Sequence, residues 1–366
     1  MVEEHVANLV KICLAFVIVK LDTLSAWDGL GKQEIRAATV RERLNEDRSL
    51  TVAARNGGEV MILTAGLTPA LQQILLFDAL TLGEVNRARQ VHWGASGKVL
   101  NAARALHHLG SPCKTLTLIG GRTGEAIRRD IDQLGIAAHW IEGSTPTRIC
   151  TTLLDRSRRQ ATELVPNAAQ TAMDELDRFQ TAYVEETASA AVVVLIGSLP
   201  IGTPSSYYRD LLTRTPGKVI LDARGPELLE ALFVRPFLVK PNRSELQQTL
   251  GRELRNDAEL FDALREINER GAEWVVVTDG GKPAYARSHQ HLYRLQPPAA
   301  EVVNPIGCGD CMAAGIAQGL QMGWEPLDAI RRGLAVAANK LGQVFPGFVE
   351  REQVEALVAR VQITRV

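Results

Sequence analysis

The 366-residue chain carries 41 Lys and Arg against 42 Asp and Glu, a formal net charge of -1, and 46% of its residues are hydrophobic. That is enough chain for one large α/β domain with an appendage, or for two small domains, and the interspersed charges leave no nucleic-acid footprint. Five scattered cysteines, an odd number, argue against a disulfide framework and for a reducing, cytosolic compartment.

Residues 1–60 carry no sharp pattern. The apolar stretch from Ala7 to Leu21 is interrupted by Lys11 and Lys20 and is too short to span a bilayer. It has neither a basic start nor a small-x-small cleavage site, so it does not read as a signal peptide. We expect a poorly ordered extension or a translated upstream leader.

From Met61 the chain becomes well patterned. Met61 to Leu67 reads as a buried strand ending at Thr68-Pro69. Gly83 to Trp93 alternates loosely through Val85, Val91 and Trp93, as a half-exposed strand does. The stretch G-A-S-G-K-V-L-N-A-A-R-A-L, Gly94 to Leu106, contains a Gly-Lys pair. No glycine stands five residues before Gly97, and Val99 follows Lys98, so it is not a P-loop.

Alternation from Arg148 to Leu154 and from Ala161 to Val165 gives two further short strands. Ala191 to Ile196 suits a strand buried on both faces. Lys218 to Asp222, Phe237 to Lys240 and Trp274 to Thr278 repeat the pattern after intervening helices. This alternation predicts a doubly wound, mostly parallel sheet with its sites at the carboxyl ends of the strands.

The most informative stretch is Val302 to Gly319, V-V-N-P-I-G-C-G-D-C-M-A-A-G-I-A-Q-G. A β-branched run turns through Gly307 and Gly309 into a small-residue helix opening at Asp310. Such a turn converges backbone N–H groups on one point at the positive end of a helix dipole, with a carboxylate beside it. A general base next to an anion hole is what phosphoryl transfer to an alcohol requires. An ordinary loop with an N-capping Asp is the plainer alternative. Cys308 and Cys311 form a C-x-x-C without a second pair, which reads as two small packing residues against redox or metal use. Asn242 and Glu245, three residues apart at a helix start, fit a capping box on their own.

Gly307-Cys308-Gly309-Asp310, following Asn304, is similar to the G-A-G-D signature of the ribokinase-like (PfkB) carbohydrate kinases, especially the 1-phosphofructokinase and tagatose-6-phosphate kinase branch. The resemblance begins at Met61, and its other motifs follow in order. Gly97, Lys98, Asn101 and Arg104 match G-G-K-G-x-N-x-A-R, with Ser96 and Val99 in place of glycines. Thr147-Arg148 resembles T-R-x-N, with Cys150 for the Asn. Gly197 to Pro200 matches G-S-L-P, and Asn242 with Glu245 matches N-x-x-E.

The resemblance implies a three-layer ribokinase-like α/β domain over residues 61–366, with a small β-sheet lid from residues 83–98 and 147–165. It implies an ATP- and Mg²⁺-dependent kinase of a sugar phosphate of the fructose 1-phosphate, fructose 6-phosphate or tagatose 6-phosphate type. Asp310 would be the base, and Gly307, Cys308 and Gly309 the anion hole. Gln72, Gly97, Lys98, Asn101, Arg104 and Arg148 would bind substrate, Gln72 standing where the family has Asp. Thr278, Gly280 and Asn339 would border the nucleotide, and Asn242 and Glu245 would reach Mg²⁺ through water. No nucleic-acid or membrane partner is implied, and relatives suggest a homodimer through the lid. The rival readings are a kinase of a free sugar or nucleoside, and a regulatory binding protein that has lost turnover.

Overall fold

The computed structural model of the protein describes residues 61–366, so the expected N-terminal extension, residues 1–60, lies outside the described residues. Short aliphatic runs set the central sheet. Strands β1 (Met61–Gly66), β4 (Cys113–Ile119), β5 (Ala137–Glu142), β8 (Ala190–Ile196), β9 (Lys218–Asp222), β10 (Leu238–Val239) and β11 (Trp274–Val277) lie parallel in the order β11-β10-β9-β8-β1-β4-β5. Strands β12 (Ala284–Ser288), β13 (Leu292–Gln296) and β14 (Gln362–Arg365) extend one edge antiparallel.

Consecutive residues of each inner strand face opposite sides, and both sides are apolar. Ile62, Val192, Val194 and Ile220 face a core built with helices α1 (Lys98–His108), α2 (Gly121–Leu134), α8 (Cys308–Gln321), α9 (Pro326–Leu341) and α10 (Arg351–Val358). Leu63, Val193, Leu195 and Leu221 face a second core with α3 (Met173–Thr187), α4 (Tyr207–Leu212), α5 (Gly225–Leu232), α6 (Arg243–Leu250) and α7 (Asp257–Glu269). The result is three layers.

Helices α8 and α9 approach closely because glycine lines their contact. A Cβ placed on Gly315 would stand 2.7 Å from Val336 Cγ2 and 2.9 Å from Gly333 Cα.

A separate four-stranded sheet has the order β3-β2-β6-β7, from β2 (Ala70–Phe77), β3 (Gln90–Ser96), β6 (Ile149–Asp155) and β7 (Gln160–Leu164). Strand β2, its central member, is absent from the sequence-based reading, and β3 starts at Gln90 rather than Gly83. The segment A-L-Q-Q-I-L-L-F is apolar on both faces, so it shows no period-2 alternation to mark it.

The chain leaves β1 toward β4 and β5 on one side and returns as β8 to β11 on the other. Its carboxyl-end crevice therefore opens between β1 and β8. Gly66 closes β1 at this point, and a Cβ there would lie 2.2 Å from the Ile196 carbonyl oxygen. Backbone that is itself part of the sheet cannot yield. We expect Gly66→Ala to destabilise the domain by about 1–3 kcal/mol, visible as a lower denaturation midpoint.

Candidate active site

Charged residues collect where strands β9 and β10 end and helices α1, α6 and α8 begin. Asp222 terminates β9 and is 2% exposed. Its Oδ1 accepts from Lys98 Nζ at 2.8 Å, and its Oδ2 pairs with Lys240 Nζ at 2.7 Å. Lys98 also lies 3.4 Å from Glu245 Oε1. Lys240 stands against the glycine turn, since a Cβ on Gly309 would meet its Nζ at 3.3 Å.

The turn itself is specified by glycine. Gly307 has φ 85, in the left-handed region, and caps α8. Gly97 caps α1 with φ 92, and a Cβ there would strike Pro69 Cα at 2.8 Å.

Asp310 sits in the first turn of α8 and is buried. Its Oδ2 accepts from Asn101 Nδ2 at 2.7 Å, and Ser96 Oγ donates to Asn101 Oδ1 at 2.9 Å. The serine replaces a family glycine yet fixes which end of the amide meets Asp310.

Burial, reinforced by the Asp222 charge and opposed by Lys98, Asn101 and Lys240, pushes the Asp310 carboxyl up to about 6. Burial alone would also raise Asp222. Lys240 and Lys98 overcome it and hold that carboxyl well below the usual range. Burial would lower Lys98, but Asp222, Glu245 and Asp310 lift its ammonium above the ordinary value.

The expected site residues thus divide. Asp310, Gly307, Cys308, Gly309, Asn101, Gly97, Lys98 and Glu245 come together. Asn242 and Glu245 form a reciprocal capping box, Asn242 Oδ1 accepting from Glu245 N at 2.8 Å and Glu245 Oε2 from Asn242 N at 2.9 Å. Thr278 lies beside them, bridged to Asn242, its carbonyl accepting from Arg243 N at 2.9 Å. Gly280 follows with φ 58 and open space around it.

Four of the expected residues are engaged by protein partners. Arg104 is buried, with Nη2 donating to Asp130 Oδ2 at 2.8 Å and Ala95 O at 2.9 Å, its guanidinium 4.6 Å from the Phe345 ring centre, and so braces β3. Gln72 is 1% exposed and donates to Thr152 Oγ1 at 2.8 Å, a contact within the small sheet. Asn339 donates to Gln353 Oε1 at 3.0 Å and accepts from Glu350 N at 2.8 Å, joining α9 to α10. Lys98 joins Asp222 and Glu245 instead of standing with Arg148.

Arg148 donates to the Thr68 and Pro166 carbonyls at 3.1 and 3.2 Å and borders a cavity of about 370 Å³. That cavity is also lined by Gly197 and Ser198 after β8 and by Ala223 and Arg224 after β9. Arg224 is exposed and makes no ion pair or hydrogen bond among the described residues.

Asp222, Lys240 and Arg224 were not singled out from the sequence. Their signal was charge at or just past the carboxyl ends of buried parallel strands. The Cys308 and Cys311 thiols are raised by burial, Cys308 to about 11, which leaves no reactive thiolate. Among the described residues no group of three His, Cys, Asp or Glu could ligate a metal directly.

A three-layer sheet with a small second sheet and a buried carboxylate beside a glycine turn defines a ribokinase-like phosphotransferase architecture. The model of the pfkB family of carbohydrate kinases matches residues 62–347, and the chain belongs to that family. It is therefore a sugar kinase.

Solved structures with this fold include phosphofructokinase-2 from Escherichia coli in complex with fructose-6-phosphate, 24% identical, covering 82% of this chain and 99% of that one with TM-score 0.75. A possible 1-phosphofructokinase from Thermotoga maritima is 20% identical, with 84% and 99% covered and TM-score 0.77. Ribokinase from the same organism is 21% identical, with 82% and 99% covered and TM-score 0.67.

The Asp222 network yields a direct expectation. Asp222→Asn leaves Lys240 as an uncompensated buried ammonium and should destabilise the fold by about 3–5 kcal/mol. In the folded fraction, loss of the neighbouring anion should move the Asp310 titration below its present value, read by carboxyl ¹³C NMR.

Proposed function

We propose that the protein transfers the γ-phosphoryl group of ATP to a hydroxyl of a sugar phosphate of the fructose 1-phosphate, fructose 6-phosphate or tagatose 6-phosphate type. The observation that carries this reading is the buried Asp310 against the Gly307–Gly309 turn, with Lys98 and Lys240 alongside.

Above about pH 6 Asp310 is ionised, so it can accept the proton of the acceptor hydroxyl. The N–H groups at the start of α8 face charge growing on the transferring group, and Lys98 and Lys240 add positive potential. Closure of the small sheet over the sugar excludes water and suppresses idle ATP hydrolysis.

The acidic groups suit a metal that arrives on the nucleotide. Asp222 and Glu245 offer hard oxygens, but Lys98, Lys240 and the capping contacts already occupy them, which fits water-mediated contact and not a direct cage. Bound there with ATP, Mg²⁺ would neutralise charge on the phosphate oxygens.

Arg148 and Arg224 on one cavity support an acceptor that already carries a phosphate, because a guanidinium meets phosphate with two donors in one plane. A free sugar or nucleoside offers neither guanidinium an anionic partner of its own. We extend the reading to a homodimer through the small sheet, supported by its two open edge strands, β3 and β7, and by exposed Val91 and Val165. The unpaired cysteines support a reducing compartment, and no helix among the described residues is long and apolar enough to cross a membrane.

ADP release with Mg-ATP over a panel of ketohexose phosphates, free hexoses, pentoses and nucleosides tests the assignment. Turnover should appear with a phosphorylated sugar and fall at least ~10²-fold in Asp310→Asn while ATP binding persists. It should rise with pH through about 6 as the carboxyl loses its proton. Turnover confined to unphosphorylated acceptors, or unchanged in the variant, would sink this reading. Arg148→Ala and Arg224→Ala should each raise KM for the sugar phosphate by about tenfold or more and leave KM for ATP in place, as loss of a charge-assisted phosphate contact implies.

A further inference from the structure

The last turn of α9 buries a lysine that the chemistry above does not use. Lys340 is 0% exposed, and its Nζ donates to the Asn304 carbonyl at 2.7 Å and the Gln343 carbonyl at 3.1 Å. The first carbonyl belongs to the segment leading into the Gly307–Asp310 turn, the second to the loop leaving α9.

The same two segments are tied by Val303 N to Leu341 O at 2.8 Å and Asn304 N to Leu341 O at 3.2 Å. Asn304 Nδ2 donates to Val344 O at 2.7 Å, while its Oδ1 accepts from Ile306 N at 3.0 Å. The clasp therefore reaches the residue next to Gly307. Pro346 closes the far side, within 3.0 Å of where a Gly307 Cβ would lie.

A buried ammonium is costly, and a methionine would fill the same space without desolvation. Burial pulls the Lys340 pKa down, partly opposed by the Asp310 charge, and its two carbonyl partners fix its place at the entry to the turn. Two of its protons go to carbonyls that fix the turn's entry and the facing loop. Its charge lies at the entry to the turn that opens α8, whose first backbone N–H groups are free to meet an incoming anion.

We infer that Lys340 is a positioning residue for phosphoryl transfer, its ammonium clasping the Asn304 and Gln343 carbonyls to hold the Gly307–Asp310 turn and set fixed positive charge beneath it. This rests on the phosphotransferase reading above. Charge that acts on the transferring group lowers the barrier without tightening ground-state binding, so its loss falls on kcat more than on KM.

The experiment compares the full chain with Lys340→Met, Lys340→Ala and Lys340→Gln in the coupled ADP assay on the sugar phosphate that wild type turns over. Lys340→Met should lower kcat at least ~10-fold with both KM values within about threefold. Lys340→Ala should regain part of its kcat in methylammonium chloride and none in tetramethylammonium chloride at equal ionic strength, because only the former can donate to the two carbonyls. Lys340→Gln keeps N–H donors without charge and covers the case in which the other variants do not fold. A folded Met or Gln variant with wild-type kcat overturns the proposal, as does a loss expressed only in KM or an Ala variant that methylammonium leaves unchanged. Inactive wild type would instead overturn the phosphotransferase reading itself.

Discussion

Asp222 stays ionised although it is almost fully buried, because two lysines from different elements close on its two oxygens. A lone carboxylate at that depth would take up a proton; here the ion pairs reverse that tendency. The arrangement links three carboxyl-end segments, since Lys98 opens α1, Asp222 ends β9 and Lys240 follows β10. Its field also reaches Asp310, which feels Asp222 as a repelling charge and the two lysines as attracting ones. Burial and Asp222 prevail, and the carboxyl titrates close to neutrality, as the proposed role of a general base requires.

The departures from the family motifs acquire physical meaning around this network. Ser96 occupies a glycine position but orients Asn101 toward Asp310. Val99, also in a glycine position, is buried and packs over Gly66, its Cβ 3.2 Å from where a Gly66 Cβ would stand. Thr68, which stands where the resembling family has Asn, donates to the Ser198 carbonyl at 3.1 Å and so ties the end of β1 to the turn after β8. Gln72 turns its amide into the small sheet. The departures are thus absorbed into internal packing, while Arg224 stands with Arg148 on the cavity.

Much of the layout was legible because it rests on local rules. The aliphatic run Ala190–Ile196 can only be a strand covered on both faces, and the Gly-x-Gly before Asp310 can only be a tight turn into a helix. Helix α9, Pro326–Leu341, starts with Pro326 in its first turn, where proline's missing N–H costs nothing. Strand β2 escaped because an apolar segment without alternation has no period to read, and the antiparallel edge β12 to β14 was left unassigned.

By itself the sequence determined the three-layer parallel sheet, the glycine turn into a helix and the acidic group beside it, because glycine conformations and strand periodicity are set by neighbouring residues. Only the tertiary structure decided which charges act together. Arg104 and Lys98 stand six positions apart, yet one braces β3 through Asp130 while the other pairs with Asp222 and Glu245. Asn339 became a link between helices, and Lys340, its neighbour, a buried donor to the Asn304 carbonyl. Ion pairing depends on distance in space and on burial, and both are fixed by how the layers pack, which no spacing along the chain encodes.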